Sequence, residues 1–320
     1  MTLAPGREDD GPAAHRAVRR AAVIVNPVKF ADVGRFRSQV RAAMAERGWA
    51  DPMWLATTPA DPGGGQARTA VAGGADLVVA CGGDGTVTAC GAGLAGTGTP
   101  MAVVPVGTGN LLARNLGLPL DVRGALGVAL AGVNRELDVG VANGRPFLVM
   151  AGLGLDARML GSTSEPLKKR LGWVAYVLAG LRHLRDRPMR VTLRADGGPP
   201  QRRRAGAVIA GNVGRLQGGV PLLPGAAPDD GLLDVVVLTA SSWAGWLAVA
   251  MHVLLRRRAG PPAGGPVTRG AFRELRIDAD RAYPWELDGE LMGATGQLTI
   301  AIRAEKLLVR VPGPGRVSGW

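Results

Sequence analysis

An apolar run, Leu77-Val78-Val79-Ala80, leads directly into Cys81-Gly82-Gly83-Asp84-Gly85-Thr86, and a small-residue stretch from Val87 to Ala95 follows. No other passage constrains the fold as much. The apolar run reads as a buried parallel strand and the small-residue stretch as a helix. Glycines between them let the backbone come close to a ligand, because no Cβ stands in the way. Amides at a helix start, reinforced by the helix dipole, favour an anion there. Asp84 is out of place beside phosphate oxygens unless a cation or a proton accompanies it, and Mg²⁺ meets that need. The turn therefore predicts phosphoryl transfer more than passive nucleotide docking.

The flanking segments extend the same pattern. Ala21–Asn26, Trp54–Thr57, Asp76–Cys81 and Met101–Val106 read as strands, and Val33–Arg47, Gly65–Ala72 and Leu111–Leu116 as helices. A second glycine turn, Gly107-Thr108-Gly109-Asn110, opens the last helix, and Gly117-Leu118-Pro119 stops it. Alternating strands and helices imply a parallel sheet with right-handed crossovers. Ligands bind such sheets outside the carboxyl ends of the strands, where both glycine turns fall. Thr108 offers a hydroxyl to phosphate, while Asn110 reads either as a helix cap or as a ligand contact. Neither turn has the Lys-Ser/Thr of a P-loop, and neither sits at the first strand as a dinucleotide fingerprint does.

After about Glu136 period-2 apolar runs take over: Phe147–Ala151, Met189–Arg194, Ala207–Gly211, Leu232–Leu238, Leu275–Asp278, Leu298–Ile302 and Leu307–Val311. Helical stretches at 166–184 and 241–256 interrupt them. The expected architecture is an α/β domain with a Rossmann-like parallel sheet over residues 21–135, then a β-rich, sandwich-like domain over 136–311 whose last strands are free to return to the first sheet. Residues 1–20 read as a disordered tail and 312–320 as a frayed end.

The chain has 320 residues, 47% of them hydrophobic, enough for two ordinary domains with cores. Its two cysteines, Cys81 and Cys90, exclude a disulfide scaffold and read as small packing residues in a reducing compartment. No secretory signal is visible, and no run reaches the roughly 18–20 apolar residues of a spanning helix. The net charge of +12 is carried almost entirely by arginine, a bias for which a GC-rich genome is the bland explanation. A basic surface still attracts anionic membranes or nucleic acid. His15, His183 and His252 show no metal or triad spacing.

Two acidic clusters remain. Asp229-Asp230-Gly231 reads first as a turn, and second as a hard-cation site of one carboxylate plus carbonyl oxygens. Asp288-Gly289-Glu290 reads equally as a hairpin turn or as a general base with an Mg²⁺ partner. Asp138 and Asp156, each near glycines and apolar runs, read singly as turn or cap residues.

With these residues in hand, the chain resembles the diacylglycerol kinase catalytic family, which includes bacterial soluble lipid kinases and sphingosine-kinase-like enzymes. The resemblance runs from about Ala21 to Val311. It rests on Val25-Asn26-Pro27, Gly82–Thr86, Pro105–Pro119, Leu137–Gly140, Gly152–Ala157, Asp230–Asp234 and Asp288-Gly289-Glu290, in that order. The first glycine motif is shared with NAD kinases and phosphofructokinases; the ordered set is far more specific.

The resemblance implies a two-domain ATP-dependent kinase acting on a lipid hydroxyl at an anionic membrane surface. Diacylglycerol is the leading substrate, ahead of sphingoid bases and other lipids. It implies ATP contacts from Asn26, Thr58, Gly82, Gly83, Asp84, Gly85, Thr86, Val87, Thr88, Gly107, Thr108 and Asn110. Asp288 and Glu290 match the catalytic acidic pair, and Asp84 and Asp138 the acidic Mg²⁺ network. Asp230, with the carbonyls of Ala227 and Leu232, matches a structural Mg²⁺ site. Asp156 matches a position near the lipid head group. The implied protein is cytoplasmic and peripherally membrane-associated, binds no nucleic acid, and is free to form a homodimer. Trp173, Tyr176, Arg182, Arg185 and Arg256–Arg258 are offered as membrane contacts. Two departures stand out: Leu111 where many bacterial members carry Asp, and Val28-Lys29-Phe30 where a glycine is common. The competing readings are a soluble-substrate kinase of the NAD kinase type and a non-catalytic nucleotide or lipid binder.

Overall fold

The computed structural model describes residues 18–154, 188–215, 222–239 and 267–313. Strands β1 (Ala21–Val25), β2 (Met53–Ala56), β3 (Leu77–Gly82) and β4 (Met101–Pro105) alternate with helices α1 (Val33–Ala45), α2 (Gly64–Ala72) and α3 (Asp84–Leu94). The strands pair in parallel in the order β2-β1-β3-β4. Every residue of β1, β3 and β4 is buried, as it must be in a parallel sheet covered on both faces. Asp32 starts α1 by accepting a hydrogen bond from the Arg35 amide at 2.8 Å. Both cysteines are free and buried, which pushes the Cys90 thiol up to about 12, in keeping with packing roles.

Two features go beyond the sequence expectation, and a third takes up a possibility that it left open. Helix α3 begins at Asp84, so Asp84, Gly85 and Thr86 form its first turn rather than a loop before it. After the short α4 (Leu111–Asn115) comes α5 (Val122–Ala131), capped by the Asp121 carboxylate on the Gly124 amide at 2.8 Å. Its two glycines weaken the helical reading, yet Ala125, Leu126, Ala129 and Leu130 make one buried face. Finally, the sheet is completed by β16 (Leu307–Val311), parallel to β4, and by β5 (Val133–Leu137), antiparallel to β16. The end of the chain thus returns to the first sheet.

The second sheet comprises β6 (Gly140–Ala142), β7 (Arg145–Phe147), β8 (Met150–Leu153), β9 (Met189–Ala195), β10 (Gln201–Ala205), β11 (Ala207–Gly211), β12 (Leu233–Leu238), β13 (Val267–Phe272), β14 (Glu274–Leu287) and β15 (Glu290–Ile302). Their order is β13-β12-β11-β8-β14-β15-β6-β7, with β9 also on β14 and β10 on β9. The short runs expected at Leu275–Asp278 and Leu298–Ile302 are the far ends of one long hairpin, β14–β15. Register shifts between Asp278 and Tyr283, and again between Pro284 and Glu286, break the period-2 pattern that would have shown its full length.

Alternation along these strands decides what each face meets. Leu153, Val208, Val237, Leu275, Ile277 and Leu287 form a core on one face. Met150, Ile209 and Val236, on the opposite face, join Val78, Val87 and Val103 of the first domain in a shared core. A wedge at this junction is Leu148, fully buried; a Cβ on Gly91 of α3 would lie 2.7 Å from its Cδ1. Helix α3 is thereby fixed against the second domain, and with it the turn that precedes it. The helical stretches at 166–184 and 241–256, Asp156, and the aromatic and basic residues offered as membrane contacts lie outside the described residues. Among the described residues no helix is long and apolar enough to cross a membrane.

Candidate active site

The two glycine turns lie side by side at the carboxyl ends of β3 and β4 and pack backbone to backbone. A Cβ on Gly107 would lie 2.6 Å from the Gly83 Cα, so the second turn tolerates no side chain at Gly107, whereas a Cβ on Gly83 would meet the Gly107 Cα at an ordinary 3.5 Å. The Asp84 carboxylate bridges them. One oxygen accepts the Asn110 amide at 2.9 Å and the other the Leu111 amide at 2.6 Å, so Asp84 caps α4 from the neighbouring turn. Beside phosphate Asp84 calls for a cation or a proton; in the structure two N–H donors partner it. Burial raises the Asp84 carboxyl, the two amides pull it back, and the nearby charge of Asp288 raises it again.

Asn110 adopts a left-handed conformation with φ 49° and closes on its own turn. Its side-chain oxygen accepts the Gly107 amide at 3.0 Å, and its amide donates to the Gly107 carbonyl at 2.8 Å. It is therefore a brace for the turn, and its side chain makes no helix cap. Thr108 stays exposed beside it. Gly83, at the N-cap of α3, carries no side chain to satisfy that helix's first amides, which are left for an anion. The residues present thus fit phosphate.

Thr86 and Val87 are buried, and the Val87 amide is spent on the Gly83 carbonyl at 3.1 Å. Asn26 donates weakly to the Thr86 hydroxyl, at 3.4 Å. The Thr58 hydroxyl accepts from the Asp61 amide at 3.1 Å and shapes the loop after β2. Lys29 ends an exposed 3-10 turn after β1.

The second domain approaches α3 through the β14–β15 hairpin. Leu287 pairs with Glu290 across a two-residue turn, Asp288-Gly289, with φ 48° and 87°. Asp-Gly is the composition such a mirror-image turn demands. The segment is the hairpin turn that one of its two sequence readings expected, and it brings its carboxylates to the first domain. The two carboxylates part company, however. Asp288 is buried and accepts from the Thr88 hydroxyl at 2.5 Å and from the Leu148, Val149 and Met150 amides at 2.8–2.9 Å. Burial pushes its carboxyl up while these donors pull it down. Glu290 is exposed and reaches over the first turn of α3, where a Cβ on Gly85 would collide with its Oε1. Leu111, the departure from the family pattern, is buried and packs beside Gly289.

One carboxylate in this region drew no attention in the sequence. Glu286, two residues before Asp288, is 1% exposed and its Oε2 has no hydrogen-bond partner. Burial, with repulsion from Asp288, pushes it up to about 7. Its signal was faint, because a lone Glu between Trp285 and Leu287 resembles any solvent-facing strand position.

Asp138 stands apart from Asp84. Fully buried, it pairs with the Lys306 ammonium and accepts the Gly231 amide at 2.8 Å, while its own amide donates to the Pro228 carbonyl at 2.6 Å. It thus organises the 228–231 turn. Asp230 in that turn gives one oxygen to the Leu232 amide at 3.0 Å, and its charge, after burial, helps raise the Asp234 carboxyl. Among the described residues no three His, Cys, Asp or Glu side chains gather into a metal-holding group. A cation held with phosphate needs only one or two protein carboxylates, and Glu290 is the open one at the glycine turns.

Residues 20–142 match the diacylglycerol kinase catalytic domain, and residues 149–310 match the YegS C-terminal NAD kinase β-sandwich-like domain. A relative named a YegS-like lipid kinase, from Pseudomonas fluorescens, is 34% identical over 285 residues, 86% of this chain and 91% of its own. The diacylglycerol kinase of Bacillus subtilis is 28% identical over 305 residues, 90% of this chain and 98% of its own. The crystal structure of a diacylglycerol kinase from Bacillus anthracis superposes with a TM-score of 0.70 at 22% identity, over 92% of this chain and 97% of that one. That structure speaks for the fold.

Proposed function

The chain belongs to the lipid kinase family that joins a diacylglycerol kinase catalytic domain to a YegS-type C-terminal domain, and we propose that it moves the γ-phosphate of ATP to a lipid hydroxyl at a membrane surface. The observation that carries this reading is the meeting of Glu290 with Gly85: an open carboxylate from one domain set over the phosphate-binding helix start of the other.

The first-turn amides of α3 hold the phosphates, and Thr108 is free to donate to them. Mg²⁺ bound with ATP would be held by the Glu290 carboxylate and would neutralise charge on the phosphate oxygens. The acceptor hydroxyl oxygen forms a bond to the γ-phosphorus, the bond from that phosphorus to the bridging oxygen breaks, and ADP leaves. Glu290 takes the hydroxyl proton. Asp288 already accepts four hydrogen bonds, so it serves by fixing the hairpin turn that aims Glu290. Catalysis of this kind is positioning and charge stabilisation. Diacylglycerol is the leading acceptor.

Incubation with γ-labelled ATP, Mg²⁺ and either total lipid extract or NAD, followed by identification of the labelled product, tests the proposal. A labelled phospholipid is the expected outcome. Label in NAD alone, or in neither, overturns it.

A further inference from the structure

The ribbon formed by β9 and β10 carries an unusual charge arrangement. Five arginines, Arg190, Arg194, Arg202, Arg204 and Arg276, are exposed on it and on the adjoining β14. Burial of Val191, Leu193, Leu275 and Ile277 in the second-domain core fixes the alternation, so these arginines share the opposite face. Arg204 stands directly across from Arg190, and Arg276 directly across from Arg194. Like charges at directly opposed positions destabilise a sheet. Asp278 relieves the second pair, with Arg194 at 3.1 Å and Arg276 at 3.2 Å. The first pair has no such ion pair: among the described residues no carboxylate pairs with the side chains of Arg190, Arg202 or Arg204, and Asp280 beside them meets the Arg190 backbone amide at 3.4 Å and the Tyr283 hydroxyl at 2.9 Å instead.

Three guanidinium groups therefore repel one another on a flat, solvent-facing ribbon at the sheet edge. Anions laid across that face would remove the repulsion. Among the described residues the aromatic side chain that adjoins this face is Tyr283, which is half-buried, donates to Asp280 at 2.9 Å and is covered by the Arg281 guanidinium at 4.9 Å, so it offers no open ring on which a nucleobase would stack. Its neighbours are Thr192, Gln297 and Thr299, small polar groups suited to headgroups. One strand also links it to the cleft: β14 starts at this face with Arg276 and ends at the turn that carries Asp288.

We propose that the Arg190–Arg202–Arg204 face docks the protein on the anionic phospholipid headgroups of a bilayer. The proposal rests on the lipid kinase reading for its choice of partner, and its test separates the two. Wild type and an R190Q/R202Q/R204Q variant are sedimented with vesicles of phosphatidylcholine alone and of phosphatidylcholine with phosphatidylglycerol, at low and raised salt. Both proteins are also assayed on a short-chain diacylglycerol in neutral detergent micelles.

Wild type should bind the phosphatidylglycerol vesicles in a salt-sensitive way, and the variant roughly 100-fold more weakly, at about fivefold per arginine. Its melting temperature should be unchanged or higher, since a repulsive pair is gone, and its micellar activity should equal that of wild type. Equal vesicle binding by the two proteins overturns the proposal, as does wild type that ignores anionic vesicles. Loss of binding to a DNA duplex with vesicle binding retained assigns the face to nucleic acid and overturns it too. If vesicle binding falls in the variant while neither protein phosphorylates any lipid, the docking face stands and the kinase reading fails.

Discussion

Thr88 of helix α3 donates its hydroxyl to the Asp288 carboxylate across 2.5 Å, joining residues two hundred positions apart and belonging to different domains. The same carboxylate gathers the Leu148, Val149 and Met150 amides. Asp288 is thus the peg on which the hairpin turn, the loop before β8 and the phosphate-binding helix hang together. Thr88→Val removes one donor from a buried carboxylate and should cost about 1–3 kcal/mol. Asp288→Asn puts an NH2 in place of one oxygen, against either the Leu148 amide and Thr88 hydroxyl or the Val149 and Met150 amides, and should cost at least as much. Urea denaturation checks both. Asp288→Asn that loses turnover at wild-type stability would instead make Asp288 a chemical participant.

Glu290 should behave oppositely. It is exposed, so Glu290→Gln should leave the melting temperature where it was. Loss of the carboxylate should lower kcat about 10²–10⁴-fold and raise the KM for ATP with Mg²⁺, because the same group would hold the cation. Steady-state kinetics beside a thermal melt reads both. A variant with wild-type kcat would remove Glu290 from the mechanism.

Glu286 predicts a pH dependence. Its folded pKa, about 7, lies above the ordinary value of 4.5. The folded protein therefore holds this proton more tightly than the unfolded chain. The stabilisation is fully present below about pH 4.5 and is lost as pH rises through about 7, amounting to about 3 kcal/mol. Glu286→Gln, neutral at every pH, should lose this component of the stability profile. Chemical denaturation of both proteins from pH 5 to 8.5 provides the comparison; parallel profiles would show that Glu286 does not titrate in this range.

Much of this arrangement was legible in the sequence, for reasons of unequal strength. The strands β1, β3 and β4 were readable because parallel strands buried on both faces are continuous apolar runs. The glycine turns were readable because three glycines around an aspartate serve few purposes. What the sequence could not convey was partnership. Asp84 asked for a positive partner, and nothing local announced that the amides of Asn110 and Leu111, in another turn, would answer. Asp138 and Asp84 looked alike, yet Lys306, 168 residues further on, claims one of them. Asp288 and Glu290 looked like a pair, and two residues of hairpin geometry send one into the interior and one into the cleft. The long hairpin hid behind its own bulges.

The glycines of the two turns separate packing from chemistry. A methyl group on Gly107 would meet backbone, the Gly83 Cα at 2.6 Å, which cannot swing aside as a side chain can. Gly107→Ala should therefore destabilise the protein by roughly 1–3 kcal/mol, as overpacked sites do. A methyl group on Gly85 meets only the end of the Glu290 side chain, which is exposed and able to swing away. Gly85 also lies in the first turn of α3, where alanine is intrinsically better by up to about 1 kcal/mol. Gly85→Ala should thus leave stability unchanged or raised, while kcat falls because Glu290 no longer sits over the phosphate-binding amides. Paired melts and kinetics on the two variants decide the matter. If Gly85→Ala keeps full turnover, the position of Glu290 over that glycine has no part in the reaction.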